Sequence, residues 1–189
     1  MSAKIKWGTT VILVLATALA AEGVQRTGST SKPSSTGTHT KKAGMDPALA
    51  AAAKPFVTMG CDPLLWEHVY HLQRLQVAEK CISVTGTIHH VKKEADGDDH
   101  IQLTLNSQFG GLLNARNKTA QANSLVVEPV CQGTATQADA QAACRDFHST
   151  VEVPKQGSHV RVLGSYVFDS EANHGWMEIH PVTTIEAIP

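Results

Sequence analysis

Aromatic residues are scarce, at 5% of the 189 residues, with three Trp, two Tyr and four Phe. A core must therefore be built from Val, Ile, Leu and Ala. The aromatic platforms on which single-stranded nucleic acid stacks are also missing. Basic charge is scarce where a fold would sit, since residues 55–189 carry nine Lys/Arg against fifteen Asp/Glu. That balance excludes the basic footprint needed to neutralise phosphates, so nucleic acid is not an expected partner. No apolar run approaches the ~20 residues that span a bilayer. There is no C-x-x-C, H-E-x-x-H or G-x-S-x-G. These absences leave zinc ribbons, thioredoxin-like redox sites, zinc proteases and serine hydrolases with a nucleophile elbow without support. What is present, 42% hydrophobic and 17% charged residues, suits one packed domain.

The N-terminus reads as a targeting segment. Lys4 and Lys6 precede the apolar run Thr9–Ala20, and Ala18-Leu19-Ala20 supplies small residues at a cleavage site. This is the pattern of a secretory signal peptide over residues 1–21, and it implies an exported, periplasmic or extracellular protein with no membrane span after cleavage. Export makes four cysteines, Cys61, Cys81, Cys131 and Cys144, a disulfide set. Three pairings exist, and Cys61–Cys81 with Cys131–Cys144 is favoured because each closes a local loop.

Residues 22–54 are dominated by Ser, Thr, Gly and Lys and read as a disordered linker, with one or two helical turns in Ala48–Lys54 ended by Pro55. The folded domain is expected over residues 55–189. Pro63–Gln76 is compatible either with a helical face or with an irregular segment strapped by Cys61–Cys81. Period-two alternation then predicts strands at Cys81–Lys92, His100–Asn106, Leu125–Val130, Val160–Phe168 and Gly175–Ile188. Asp96-Gly97-Asp98 marks the first hairpin turn. Thr134–Phe147 has helical composition, with Thr136 as N-cap. The order β-β-β-α-β-β predicts a mainly β domain, a five-stranded OB-like Greek-key barrel with one helix between strands three and four. An open α+β sandwich is the alternative.

The segments Val84-Thr85-Gly86-Thr87-Ile88, Asp96-Gly97-Asp98-Asp99-His100, Asn123–Glu128 and His174-Gly175-Trp176-Met177-Glu178-Ile179-His180-Pro181-Val182 carry a resemblance. Over about residues 61–188 the chain resembles a family of exported bacterial OB-fold-like domains of unknown function. The terminal H-G-W-x-E-I-H-P-V run is its most specific part. The resemblance implies fold and compartment and brings no established activity.

Nine histidines fall within residues 55–189, most of them near acids. Glu178 and His180 share one face of a strand, and His174 lies just upstream at a hairpin turn. With His100 from a neighbouring strand, these residues are candidate ligands for a divalent metal ion. The competing reading is structural. A buried Trp176 on an unbroken strand would draw Glu178 and His180 inward as a hydrogen-bonded pair. The carboxylates of Asp96, Asp98 and Asp99 lack the EF-hand spacing and read as an acidic turn rather than a calcium site. His68 and His71, three apart, lack the glutamate of a zinc-protease motif.

Two functions follow. The first is a non-catalytic binding module without a cofactor, taking a sugar, peptide or protein on the face of strands two and three. That face includes Gln102, Thr104, Asn106, Asn114, Arg116 and Asn117. The second is a metal-dependent, phosphodiesterase-like hydrolase using Asp98, His100, Glu128, Glu178 and His180, with a metal-bound water as nucleophile. The acidic balance and shortage of arginines place it second.

Overall fold

The computed structural model describes residues 44–189. The expected signal peptide and most of the expected linker lie outside the described residues. Five strands form one sheet: β1 (Leu75–Lys93), β2 (Asp99–Leu105), β3 (Leu125–Val127), β4 (His159–Asp169) and β5 (Met177–Ala187). Their ladders run β1–β2–β3–β5–β4 and return to β1. All pairs are antiparallel except β3 with β5. Among the described residues no helix is long and apolar enough to cross a membrane.

The 19-residue β1 serves two neighbours, pairing with β4 from Leu75 to Thr87 and with β2 from Gly86 to Lys93. Gly86 belongs to both ladders, and a Cβ there would lie 2.4 Å from the Thr104 carbonyl oxygen. Only glycine lets the backbones approach so closely. Gly164 plays the same part on β4, where a Cβ would lie 2.4 Å from Ile179 Cγ2. Alternation fills the interior with Ile82, Val84, Ile88, Ile101, Leu103, Leu125, Val162, Tyr166 and Ile179, all almost fully buried. His90, which unbroken alternation would set on the same side as Ile82 and Ile88, is exposed because a bulge between Ile88 and His90 shifts the register.

The folded unit begins before residue 55. Helix α1 (Pro47–Ala53) is capped by Asp46, whose side chain accepts from Ala48 N at 2.9 Å, and Pro47 opens it. Leu49 and Ala53, one turn apart, join the core, and Gln76 Oε1 accepts from Met45 N. Lys54–Phe56 continues as a 3₁₀ turn around Pro55, where the sequence suggests a stop. Ordered packing thus begins about ten residues before the expected boundary at residue 55, because helix α1 buries a face against the sheet.

Two further departures concern helices. Pro63–His68 and Leu72–Arg74 are 3₁₀ turns, the irregular alternative, with Asp62 capping Leu64 N. Thr134–Phe147 is a chain of turns, so no helix lies between strands three and four. Its backbone is committed elsewhere. Thr136 N and Gln137 N both donate to Ala95 O, at 2.8 and 2.9 Å, and Gly133 N donates to Gly97 O. The Thr136 hydroxyl also goes to Ala95 O rather than capping a helix. These bonds to the β1–β2 turn override helical composition. The short helix present, α2 (Ala115–Ala120), lies between β2 and β3 behind an Asn114–Asn117 capping box.

Both disulfides take the local pairing, Cys61–Cys81 and Cys131–Cys144. The first ties the segment before β1 to β1 itself. The second pins the turn-rich loop that crosses the outer side of the sheet.

Candidate functional site

The first half of strand β5, Met177–Val182, is buried on both sides. Met177 and Ile179 face the apolar core, while Trp176, Glu178 and His180 face a polar layer beneath the loops. The parallel register sets Val126 beside Glu178 and Val127 beside Ile179, so Glu128 arrives next to His180. Its backbone N–H donates to Ile179 O at 2.9 Å. On β2, Ile101 pairs with Val127, which brings His100 alongside Glu128 from the other flank. Asp98 enters from the β1–β2 turn, and Arg74 from the 3₁₀ turn before β1.

Glu128 is the hub. Its Oε1 accepts from His100 Nδ1 at 2.8 Å, and its Oε2 lies 2.8 Å from His180 Nδ1. His100 Nε2 donates to Gln121 Oε1 at 3.0 Å, so both ring nitrogens face acceptors and only the imidazolium satisfies both. Burial, the strongest influence on His100, favours the neutral ring, but the bonds to Glu128 and Gln121 outweigh it and push the pKa up to about 9. His180 has no exposed surface, and burial again opposes its charge. Glu128 and Glu178 overcome that and raise it to about 10. Burial would also neutralise Glu128, yet the two imidazoles hold it well below the usual carboxylate range. Asp98 goes the other way, since burial lifts its pKa to about 7 against the pull of His180. Glu178 is raised too, by burial and by the neighbouring Glu128 charge.

Several atoms in this layer have no hydrogen-bond partner: Asp98 Oδ2, Glu178 Oε1 and both nitrogens of His180. They lie close together, with His180 Nδ1 3.3 Å from Glu178 Oε1 and His180 Nε2 3.7 Å from Asp98 Oδ2. None of these contacts has directed hydrogen-bond geometry. Buried polar atoms are rarely left so.

Arg74 closes the layer. Its guanidinium pairs with Asp169 and lies 3.9 Å from both Glu128 Oε2 and Glu178 Oε1. Asp169 also accepts from His174 Nδ1 at 2.6 Å, and that bond, against burial, raises the His174 pKa. The His174 ring stacks on Trp176, which donates to Glu178 Oε2 at 3.0 Å.

A cleft of about 470 Å³ opens onto this layer. Arg74, Asp98, His100 and Glu128 form its floor, Gln102, Gln121 and Gln137 add amides, and His174 and Trp176 form a side wall. Glu178 and His180 sit behind the floor rather than in it.

The four metal-ligand candidates are thus divided. Glu178 and His180 touch, His100 reaches them only through Glu128, and His174 turns away to Asp169. The mutually close donor set at the floor is Asp98, Glu128 and His180. A second close group, Asp98 with Cys131 and Cys144, has its sulfurs in a disulfide. Of the expected ligand face, only Gln102 lines the cleft. Thr104 faces Ser124, Asn106 donates to Thr85, and Asn114 donates to Gly175 O. Arg116 holds the Asn173 and His174 carbonyls, and buried Asn117 clamps both the N–H and carbonyl of Met177. Asp96 caps the turn through Asp98 N, and Asp99 pairs with Lys93. His68 stacks on Phe147 and His71 on Tyr70. Arg74, Gln121 and Asp169 are the participants that sequence reasoning misses. For Asp169 a faint signal exists, an acid at a strand end five residues before a histidine.

The chain matches no protein-family model, no curated protein and no solved structure.

Proposed function

We propose that this chain is an exported OB-like domain that binds a small hydroxyl-rich ligand, of the sugar class, in the cleft above Glu128. The ladder order β1–β2–β3–β5–β4, closing back on β1, supports the OB-like reading, and the ligand would lie against β2 and β3. Two disulfides suit an oxidising compartment.

The carrying observation is the convergence of amides, imidazoles and carboxylates on one cleft beside Trp176. Its volume lies within the ~300–1,000 Å³ usual for small-molecule sites. Neighbouring hydroxyls on a sugar ring both donate and accept, and the cleft offers partners for both roles. Gln102 Nε2 and His100 Nε2 both donate to Gln121 Oε1, which fixes that amide in the floor. Anionic and cationic groups are mixed around the rim, which disfavours a strongly charged ligand.

Saturation-transfer NMR against a panel of mono- and disaccharides tests this reading. At least one sugar should show transfer from wild-type protein, and Gln121→Ala should weaken it at least tenfold while Thr104→Ala leaves it unchanged. No transfer from any sugar, or equal transfer from the Gln121→Ala variant, would overturn it.

A further inference from the structure

We propose that Asp98, Glu128 and His180 hold one first-row divalent cation at the floor of the cleft, a site that stands whether or not the cleft's ligand is a sugar. One ligand atom from each residue lies within 4.8 Å of the others. The way the carboxylates are held is what a metal site requires. Each has one oxygen anchored and the other presented. Asp98 Oδ1 accepts from Cys131 N at 2.7 Å, and Oδ2 has no partner. Glu128 Oε1 accepts from His100, while Oε2 points to His180. Anchoring of ligands by an outer shell orients them for an ion. Among the described residues neither His180 nitrogen makes a directed hydrogen bond, although Nδ1 lies 2.8 Å from Glu128 Oε2 and the residue is fully buried, and Asp98 is only 3% exposed. A purely structural ion pair would leave no reason for four orphaned polar atoms in one place.

Charge points the same way. Asp98, Glu128, Asp169 and Glu178 are four carboxylates, and among the described residues Arg74 is the only permanently charged cation paired with them. Protons on histidines can offset the remainder, and a divalent ion held by two of these carboxylates and His180 supplies two of the three missing charges. Two carboxylate oxygens with one imidazole suit zinc or manganese, whereas calcium seeks six to eight oxygens. Three protein ligands leave coordination positions free. Asp98 and Glu128 line the cleft, so those positions open toward whatever occupies it.

The test uses tag-free protein stripped with EDTA and titrated at pH 7.5 with ZnCl₂, MnCl₂ and CaCl₂, with no sugar present. Calorimetry and elemental analysis should give one equivalent of zinc or manganese, with calcium at least tenfold weaker. Asp98→Asn should lower zinc affinity by about 10–100-fold. His90→Gln, at the exposed rim, should not change it. Manganese added to ¹⁵N-labelled wild-type protein should broaden first the amides of Asp98–His100, Glu128 and His180, a reading that needs no variant. No retained metal, an Asp98→Asn variant that binds as wild type, or broadening confined to other histidines would each overturn the proposal. Because no sugar is used, failure here and failure of sugar binding are separate results.

Discussion

Over Met177–His180 the two faces of β5 have the same backbone and the same near-total burial, yet opposite chemistry. Toward the interior, Met177 and Ile179 meet Leu103, Leu125 and Tyr166 in a core with no demand for direction. Toward the loops, Trp176, Glu178 and His180 meet Arg74, Asp98 and Glu128, where every contact is polar or charged. The apolar face stabilises through area removed from water, which does not depend on pH. The polar face stabilises only while its protons are correctly placed. A protein needing only a stable strand could fill both faces with Val and Ile, since replacing buried ion pairs with apolar groups is often neutral or favourable. This one keeps charge there, next to a cleft, as the proposed site requires.

The largest expected effect comes from removing the hub. Glu128→Ala leaves His100 and His180 without their carboxylate and should cost about 3–5 kcal/mol near neutral pH. Ile179→Ala on the opposite face should cost about 3 kcal/mol through lost burial and a cavity. Chemical denaturation at several pH values separates them. The Ile179→Ala loss should stay constant, and the Glu128→Ala loss should change across the histidine range. Equal pH dependence of the two would erase the distinction between the faces.

The disulfides sharpen it next. Loops of 20 and 13 residues each correspond to about 3 kcal/mol of chain entropy. Cys61 and Cys81 lie away from the cleft, but Cys131 N donates to Asp98. The double Cys→Ser variant of the 131–144 pair should therefore perturb the amide shifts of Asp98 and His100, whereas that of the 61–81 pair should lose similar stability without doing so.

A chain beginning at Pro55 should lose about 2–3 kcal/mol, because Leu49 and Ala53 leave the core. Thermal melts should show that loss at every pH, as expected of the apolar face. An unchanged melt would mean that α1 contributes nothing.

The most gradual effects, about 1.4 kcal/mol per group and pH unit, lie in the pH profile of the metal-free protein. His100 and His180 have raised pKa values in the fold, so their contribution is complete below about 6.5 and is lost as pH rises through about 9 and about 10. Asp98, raised to about 7, adds stability below its ordinary value that fades by neutrality. Glu128 is depressed, so its contribution is present above about 4.5 and is lost in acid. Melting in EDTA should peak near pH 5 and decline toward pH 10. A peak above pH 8 would contradict the protonation pattern.

The apolar face was legible because alternation alone places Ile82, Val84, Leu103 and Ile179. The short Cys131–Cys144 and Cys61–Cys81 loops were legible for the same local reason. Glu178 and His180 were legible as a pair by spacing. Asp98 and Glu128 stood beside them among the hydrolase candidates by residue type, but the contacts were not legible, since Glu128 meets His180 through the parallel β3–β5 register and Asp98 through a turn 82 residues away in sequence. Local composition misled twice. The alanines of Thr134–Phe147 suggest a helix, but the backbone N–H groups of Thr136 and Gln137 at its start bond to Ala95 O. The alanines of Pro47–Ala53 look like linker and instead bury Leu49.

The most direct test is anomalous diffraction at the zinc edge from crystals of tag-free protein grown with one equivalent of zinc. The account predicts a single strong peak about 2.0–2.2 Å from Asp98, Glu128 and His180. Peaks only on exposed histidines such as His89 or His90, with Asp98, Glu128 and His180 left bare, would contradict it.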